Sequence, residues 1–139
     1  MSEQQDYNRR LIEEFRGSRG SGDQKFAGRP LLLLTTTGAK SGRRHAVPIM
    51  YVPDGDRLLV IASNAGAPTH PQWYRNLLAH PDVTVEIGSE TYEATTMLLE
   101  GAERQRKWSE IVAAYPFFGE YQAKITREIP VVAVVRRVS

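Results

Sequence analysis

The sequence of 139 residues contains no cysteine. That excludes a disulfide framework, a thiol nucleophile and any thiolate-held metal. Histidine is scarce, with three in all. His45, His70 and His80 lie on separate segments and no two share a metal-ligand spacing, so no metal site is expected. No apolar run approaches the roughly eighteen residues that a spanning helix needs, which excludes a transmembrane helix. Met1 to Gln5 is polar and acidic where a secretory leader is basic and then apolar, so the expected location is the cytoplasm. An excess of one charge is lacking too: 18 Lys and Arg face 16 Asp and Glu, a net of +2. That balance is too even for a general attraction to nucleic acid.

What is present is an ordinary globular composition, 41% hydrophobic and 24% charged, in a length that suits one domain with one real core. Gln5 to Arg16 gathers Tyr7, Leu11, Ile12 and Phe15 on one face of an amphipathic helix. Gly17 to Gly22, Gly-Ser-Arg-Gly-Ser-Gly, reads as a mobile loop. Residues 1–25 are thus expected to form an N-terminal helix and flexible arm, and 26–139 the folded domain. Leu31 to Thr37 suits a buried strand entering a turn at Gly38. Ala46 to Val52 and Arg57 to Ala62 flank Pro53-Asp54-Gly55-Asp56, a hairpin signal. Pro71 opens a short helix with Trp73, Leu77 and Leu78 as its buried stripe, ended by Pro81. Val83, Val85 and Ile87 alternate with polar residues before Gly88-Ser89 turns the chain into Glu90 to Leu99. Ala102 to Tyr115 carries Trp108, Ile111, Val112 and Tyr115 at helical spacing. Pro116 to Gly119 interrupts it before a further turn or two reaching Thr126, and Ile129 to Arg136 is the closing strand. About six hairpin-joined strands with short flanking helices make this an antiparallel α+β domain, with no alternating βαβ pattern.

Three segments could carry chemistry. In Thr35 to His45 two glycines, several hydroxyls and the cations Lys40, Arg43 and Arg44 crowd one turn. Glycines let backbone N–H groups approach an anion, and Lys40, Ser41, Arg43 and Arg44 add donors. A solvated basic hairpin tip is the other reading of the same residues. A nucleoside-triphosphate P-loop is excluded, because Ala39 and not glycine precedes Lys40. In Ala62-Ser63-Asn64-Ala65-Gly66, small residues at a strand end leave room for a flat ligand. Ser63 is either a donor to that ligand or a turn cap. Trp73 and Tyr74 could line a planar ligand, but Trp73 with Leu77 reads as core stripe, and Tyr74 is left open between the two roles. Tyr115 to Gln122 places aromatics in a broken helix that could lid an apolar pocket. There Tyr121 either orients an acceptor or packs with its hydroxyl in water.

Taken together, Leu-Leu-Thr-Thr-Thr-Gly-x-Lys-Ser-Gly at Leu33 to Gly42, Ala-Ser-Asn-x-Gly at Ala62 to Gly66, Pro-x-Trp-Tyr-x-Asn-Leu at Pro71 to Leu77, and Tyr-Gln with Arg-x-Ile-Pro-Val between Tyr121 and Val131 resemble the deazaflavin-dependent nitroreductase family. The resemblance runs from about Phe26 to Val135 and leaves the first helix and Gly-rich loop outside. It implies a split β-barrel similar to the flavin-binding ones. It also implies reduced coenzyme F420, a flat deazaflavin continuing into a phosphate and an acidic oligoglutamate tail.

By the same resemblance, Ala39, Lys40, Ser41 and Arg44 should meet the tail and phosphate, and His45, Ala46, Val47, Pro48, Ile49 and Met50 the phosphate and ring edge. Ile61, Ala62, Ser63 and Asn64 should face the deazaflavin, while Gln72, Trp73, Tyr74, Arg75 and Asn76 support it from the following helix. Ser63 and Tyr121 are the expected catalytic donors, and Met50, Tyr115 and Phe118 the substrate pocket. Members that reduce nitroimidazoles carry tyrosines where this chain has Met50 and Phe118, so two hydroxyls are lost and a more apolar acceptor is favoured. The implied activity is hydride transfer to a quinone, an α,β-unsaturated lactone or ketone, or a nitro compound. A quinone acceptor would add weak association with a membrane surface. Rival readings are a split barrel using flavin mononucleotide and a carrier that holds the deazaflavin without turnover. A nucleic-acid role for the basic turn is disfavoured, since no aromatics interleave with its cations.

Overall fold

The computed structural model describes residues 3–17, 25–26 and 29–137, the side chains of 3–8, 11, 25, 26 and 29 excepted. Its elements are α1 (Glu3–Gly17), β1 (Lys25–Phe26), β2 (Arg29–Thr37), β3 (Arg44–Asp54), β4 (Arg57–Ile61), a single 3-10 turn (Asn64–Gly66), α2 (Gln72–Ala79), β5 (Asp82–Ile87), β6 (Glu90–Leu98), α3 (Gly101–Ala114), α4 (Phe117–Ala123) and β7 (Val131–Arg136). The antiparallel order β2-β3-β4-β7-β6-β5 returns to β2 through the β2–β5 pairing, so six strands close a barrel, with β1 added beside the start of β2. The expected fold class is the observed one. The Gly-rich loop lies outside the described residues from residue 18 onward.

The apolar runs are nearly continuous in β4 and β7 because both faces of these strands are covered. Val60, Val132 and Val134 point into the barrel with Leu32, Leu34, Val83 and Val85. Leu59, Ile61, Val131 and Ala133 face outward onto Ile111 of α3 and Phe118 of α4. α1 is tied to the other side of the barrel, where the Arg16 guanidinium meets Glu86 of β5 at 2.9 Å.

Three expectations need correction. α2 packs through Tyr74 and Leu77, and Leu78 is 57% exposed. One residue is a rotation of about 100°, enough to carry Leu78 past the buried face. The interruption after α3 is confined to Tyr115 and Pro116, since Phe117 already begins α4, which ends at Ala123. β7 begins at Val131 and not Ile129, because the Ile129 amide donates to Gln122 Oε1 at 2.9 Å and so is turned away from a strand partner.

Candidate active site

The barrel is split at one seam. β3 pairs with β2 from Arg44 to Met50 but with β4 only from Tyr51 to Asp54, so the second edge of β3 between Arg44 and Met50 faces no strand. Pro48 fits there, because a proline inside a strand is tolerated where its missing N–H falls on an unpaired edge. Along this edge opens a cleft of about 1290 Å³. The unpaired edge from Arg44 to Met50 is about 20 Å long, six strand steps.

One end is the β2–β3 turn. Gly38 N donates to Arg43 O at 2.7 Å, Gly42 N to Gly38 O at 3.0 Å, and Arg43 N to Ser41 Oγ at 3.1 Å. A Cβ at Gly38 would collide with Ser41 Oγ and push it from its place beside Arg43 N. Asn76, 2% exposed, anchors the turn to α2: its Oδ1 accepts from Ala39 N at 3.1 Å and from Gln72 Nε2 at 2.9 Å, and its Nδ2 donates to Thr36 Oγ1 at 3.1 Å. Lys40 and Arg75 line the cleft here, and among the described residues neither has a carboxylate partner.

The other end follows β4. Ser63 lines the cleft, 8% exposed, and although it stands at the cap position of the 3-10 turn its side chain makes no cap bond. The turn-cap reading therefore fails, and the hydroxyl is left for the cleft. Asn64, Ala65 and Gly66 have φ of 50°, 53° and 81°, three left-handed residues in succession. For Asn64 and Ala65 that conformation costs on the order of 1–2 kcal/mol each. A Cβ at Gly66 would lie 3.3 Å from the Tyr121 ring, so the turn and α4 are in close register. Tyr121 stands edge-on to Phe117 and Phe118, at 5.7 and 6.2 Å between centroids.

The cleft brings together Ala39, Lys40, Ser41, His45 to Met50, Ile61, Ser63, Asn64, Gln72, Trp73, Arg75, Asn76, Phe118 and Tyr121. Four residues expected in the site stand off it. Arg44 turns toward β5, donating to Thr37 Oγ1 at 2.8 Å and Thr84 Oγ1 at 2.6 Å. Ala62 and Tyr74 are buried in the barrel core, where burial pushes the Tyr74 phenol above its ordinary range. Tyr115 packs behind Phe118, edge-on at 6.5 Å. Of the two aromatics expected to support the coenzyme, Trp73 lines the cleft and Tyr74 is core.

The residues that sequence reasoning missed are His70 and Arg127. His70 lines the cleft and packs tilted against the Tyr74 ring, 4.8 Å between centroids; burial first, then the charges of Arg127 and Arg75, push its imidazolium below the usual histidine range. Arg127 reaches the loop after β4 from more than fifty residues away. No periodicity or local motif could have announced that contact.

The sequence model described as "F420H(2)-dependent quinone reductase" matches residues 7–136. The match begins inside α1, so the helix left outside the motif resemblance falls within the family's extent. The F420H(2)-dependent quinone reductase Rv1261c of Mycobacterium tuberculosis is 35% identical over 127 residues, 88% of this chain and 85% of that protein. A solved structure described as a domain-swapped dimer superposes with a TM-score of 0.72 at 40% identity, covering 94% of this chain and 98% of the other. The structure of the F420-H2 dependent reductase FDR-A superposes with a TM-score of 0.69 at 46% identity, covering 76% and 94%. With a split barrel, an open β3 edge and a family match over nearly its whole length, the chain belongs to the F420H(2)-dependent quinone reductases, oxidoreductases whose coenzyme is F420.

Proposed function

We propose that the cleft binds reduced F420 along the open edge of β3 and presents it to a quinone or a similar electron-poor acceptor between Ser63 and α4. The observation that carries this reading is the polarity of the cleft. At one end Lys40 and Arg75 have no carboxylate partner among the described residues; at the other the Ser63 hydroxyl, which makes no cap bond, stands among Met50, Ile61, Phe118 and Tyr121. An elongated coenzyme with a flat ring and an acidic tail matches both ends at once. Flavin mononucleotide brings one phosphate and no acidic tail, so it offers these cations less negative charge.

When bound, the coenzyme supplies the hydride, and the protein orients and excludes water. Ala39, Lys40, Ser41, Gln72 and Arg75 hold the acidic end, with Asn76 fixing the turn behind them. His45 to Met50 present the strand edge to the ring, and Ile61 and Trp73 flank it. Ser63 donates to the acceptor oxygen on which negative charge develops. Tyr121 is the second donor and a proton source for the reduced product. Met50 and Phe118 give the acceptor an apolar wall, which favours quinones and unsaturated lactones over nitroimidazoles. Among the described residues no helix is long and apolar enough to cross a membrane, and the acceptor is taken as a small molecule.

The test is titration of the protein with reduced F420 and with flavin mononucleotide, followed by oxidation kinetics with menadione, a coumarin-type lactone and a nitroimidazole. Selective deazaflavin binding with turnover of menadione is expected. Binding without turnover of any acceptor would turn the reading into a carrier, and preference for flavin mononucleotide would overturn it.

A further inference from the structure

Arg127 spends every N–H it has on one loop. Nη2 donates to Ser63 O at 2.8 Å and to Ala67 O at 3.0 Å, Nε donates to Ala67 O at 3.2 Å, and Nη1 donates to Ala62 O at 3.2 Å and to His70 Nδ1 at 3.1 Å. A guanidinium has five donors and accepts nothing, so all five are engaged and Nδ1 of His70 must be the unprotonated nitrogen. Among the described residues no carboxylate pairs with Arg127. A surface arginine serving charge balance would find one. This one serves geometry.

The loop needs such a restraint. Ser63 and Ala67 bracket the left-handed run Asn64-Ala65-Gly66, a conformation that persists only where its surroundings hold it. Arg127 holds both ends through one nitrogen. Its own main chain is fixed in turn: Gln122 Nε2 donates to Arg127 O at 2.7 Å and Gln122 Oε1 accepts from Ile129 N at 2.9 Å. Gln122 follows Tyr121 on α4, so one relay sets both donors that face the acceptor.

We propose that Arg127 is a positioning residue: by stapling Ala62, Ser63 and Ala67 and holding His70 with its proton on Nε2, it sets the Ser63 hydroxyl against the acceptor. The role rests on the assignment of Ser63 and the cleft made above. It predicts that Arg127 acts through Ser63, and that its loss spares the coenzyme's acidic end, which is held by a different turn.

The experiment compares the wild type with R127Q, R127K, S63A and R127Q/S63A. It reads reduced-F420 affinity, kcat with menadione, melting temperature, and the His70 tautomer by long-range 1H–15N correlation. R127Q is expected to lower kcat by on the order of tenfold to a hundredfold, the range for a small misplacement of a reacting group, with F420 affinity nearly unchanged. In the S63A background the same substitution should change kcat by less than about twofold, because coupled residues are not additive. R127K keeps the charge but not the fork; if R127Q does not fold, R127K alone should release the His70 tautomer and lower kcat. Full multiplication of the R127Q and S63A losses, an unaltered His70 tautomer in R127K, or no effect of S63A on kcat would each overturn the proposal. A wild type that binds no reduced F420 would instead defeat the functional reading, and the tautomer would still test the staple.

Discussion

At the Lys40 end of the cleft most fixing bonds are short in sequence, Gly38 to Arg43 and Ser41 to Arg43, with longer ties through Asn76 to Ala39 and Thr36. At the Ser63 end the wall is held from Arg127, more than sixty residues away, and pressed by Tyr121 against Gly66. The first end is a locally folded turn carrying exposed cations; the second is strained backbone kept in place by tertiary bonds. A binding end tolerates local construction, because a charged tail can adapt to it. A reacting end needs its donor fixed to a fraction of an ångström, and distant restraints supply that.

Cutting the ties through Asn76 at the Lys40 end should have the largest effect on stability. Asn76→Ala leaves the buried Thr36 hydroxyl and the Ala39 amide without their partner. A loss of about 2–3 kcal/mol is expected, from two hydrogen bonds and their desolvated groups. Chemical denaturation measures it. A variant as stable as the wild type would show that the turn holds itself without α2.

Next in size is the charge at the same end. Lys40→Gln with Arg75→Gln should weaken reduced-F420 binding by about 2 kcal/mol, some thirtyfold, and flatten its dependence on salt. Affinity for flavin mononucleotide should fall by less. Equal losses for both cofactors would mean that the cations meet only the phosphate they share, which would erase the distinction between the tail end and the ring.

How far each end could be read from sequence follows from the same contrast. The basic turn, the hairpins and the small residues after β4 are local patterns, and the structure places Lys40, Ser41, His45 to Met50, Ser63 and Asn64 along one cleft. Arg44 leans from the cleft toward Thr84 on β5, a direction that a cation in a turn does not announce in sequence. Tyr74 could not be told from Trp73, because helical periodicity cannot say whether the neighbour of a helix is core or cleft. The Tyr-Gln and Arg-x-Ile-Pro-Val stretches were legible as family signatures but not as a clamp. Their meaning lies in bonds from Gln122 to Arg127 and from Arg127 to Ser63.

At the Ser63 end, Gly66→Ala should cost about 1–2 kcal/mol through left-handed strain and should also slow turnover, because its Cβ meets Tyr121. Gly88→Ala is the control. Its φ of +56° imposes similar strain in open space on the β5–β6 turn, so stability should fall without any change in kcat. If both variants turn over alike, the contact between Gly66 and Tyr121 has no part in the reaction.

The smallest effect tests whether the contrast extends to the rest of the barrel, where ion pairs join local turns to distant helices. At the β3–β4 hairpin Asp54 accepts from Lys107 Nζ of α3 and from Arg57 Nε, both at 2.9 Å or less. Hydrogen bonds from Lys107 and then Arg57 hold its carboxyl below the ordinary aspartate range. A depressed folded value means that the stabilisation is complete above the unfolded pKa of about 3.9 and is lost as pH falls through the lower folded value. Asp54→Asn should therefore reduce stability slightly at neutral pH and make little difference once the medium is acidic enough to protonate the wild-type carboxyl. Denaturation curves at pH 7 and at about pH 2–3, each at low and high salt, measure the convergence. Because the cluster is partly solvated, added salt should shrink the difference at neutral pH. A difference that persisted unchanged at acid pH would trace the effect to packing of the hairpin on α3 and not to its charges.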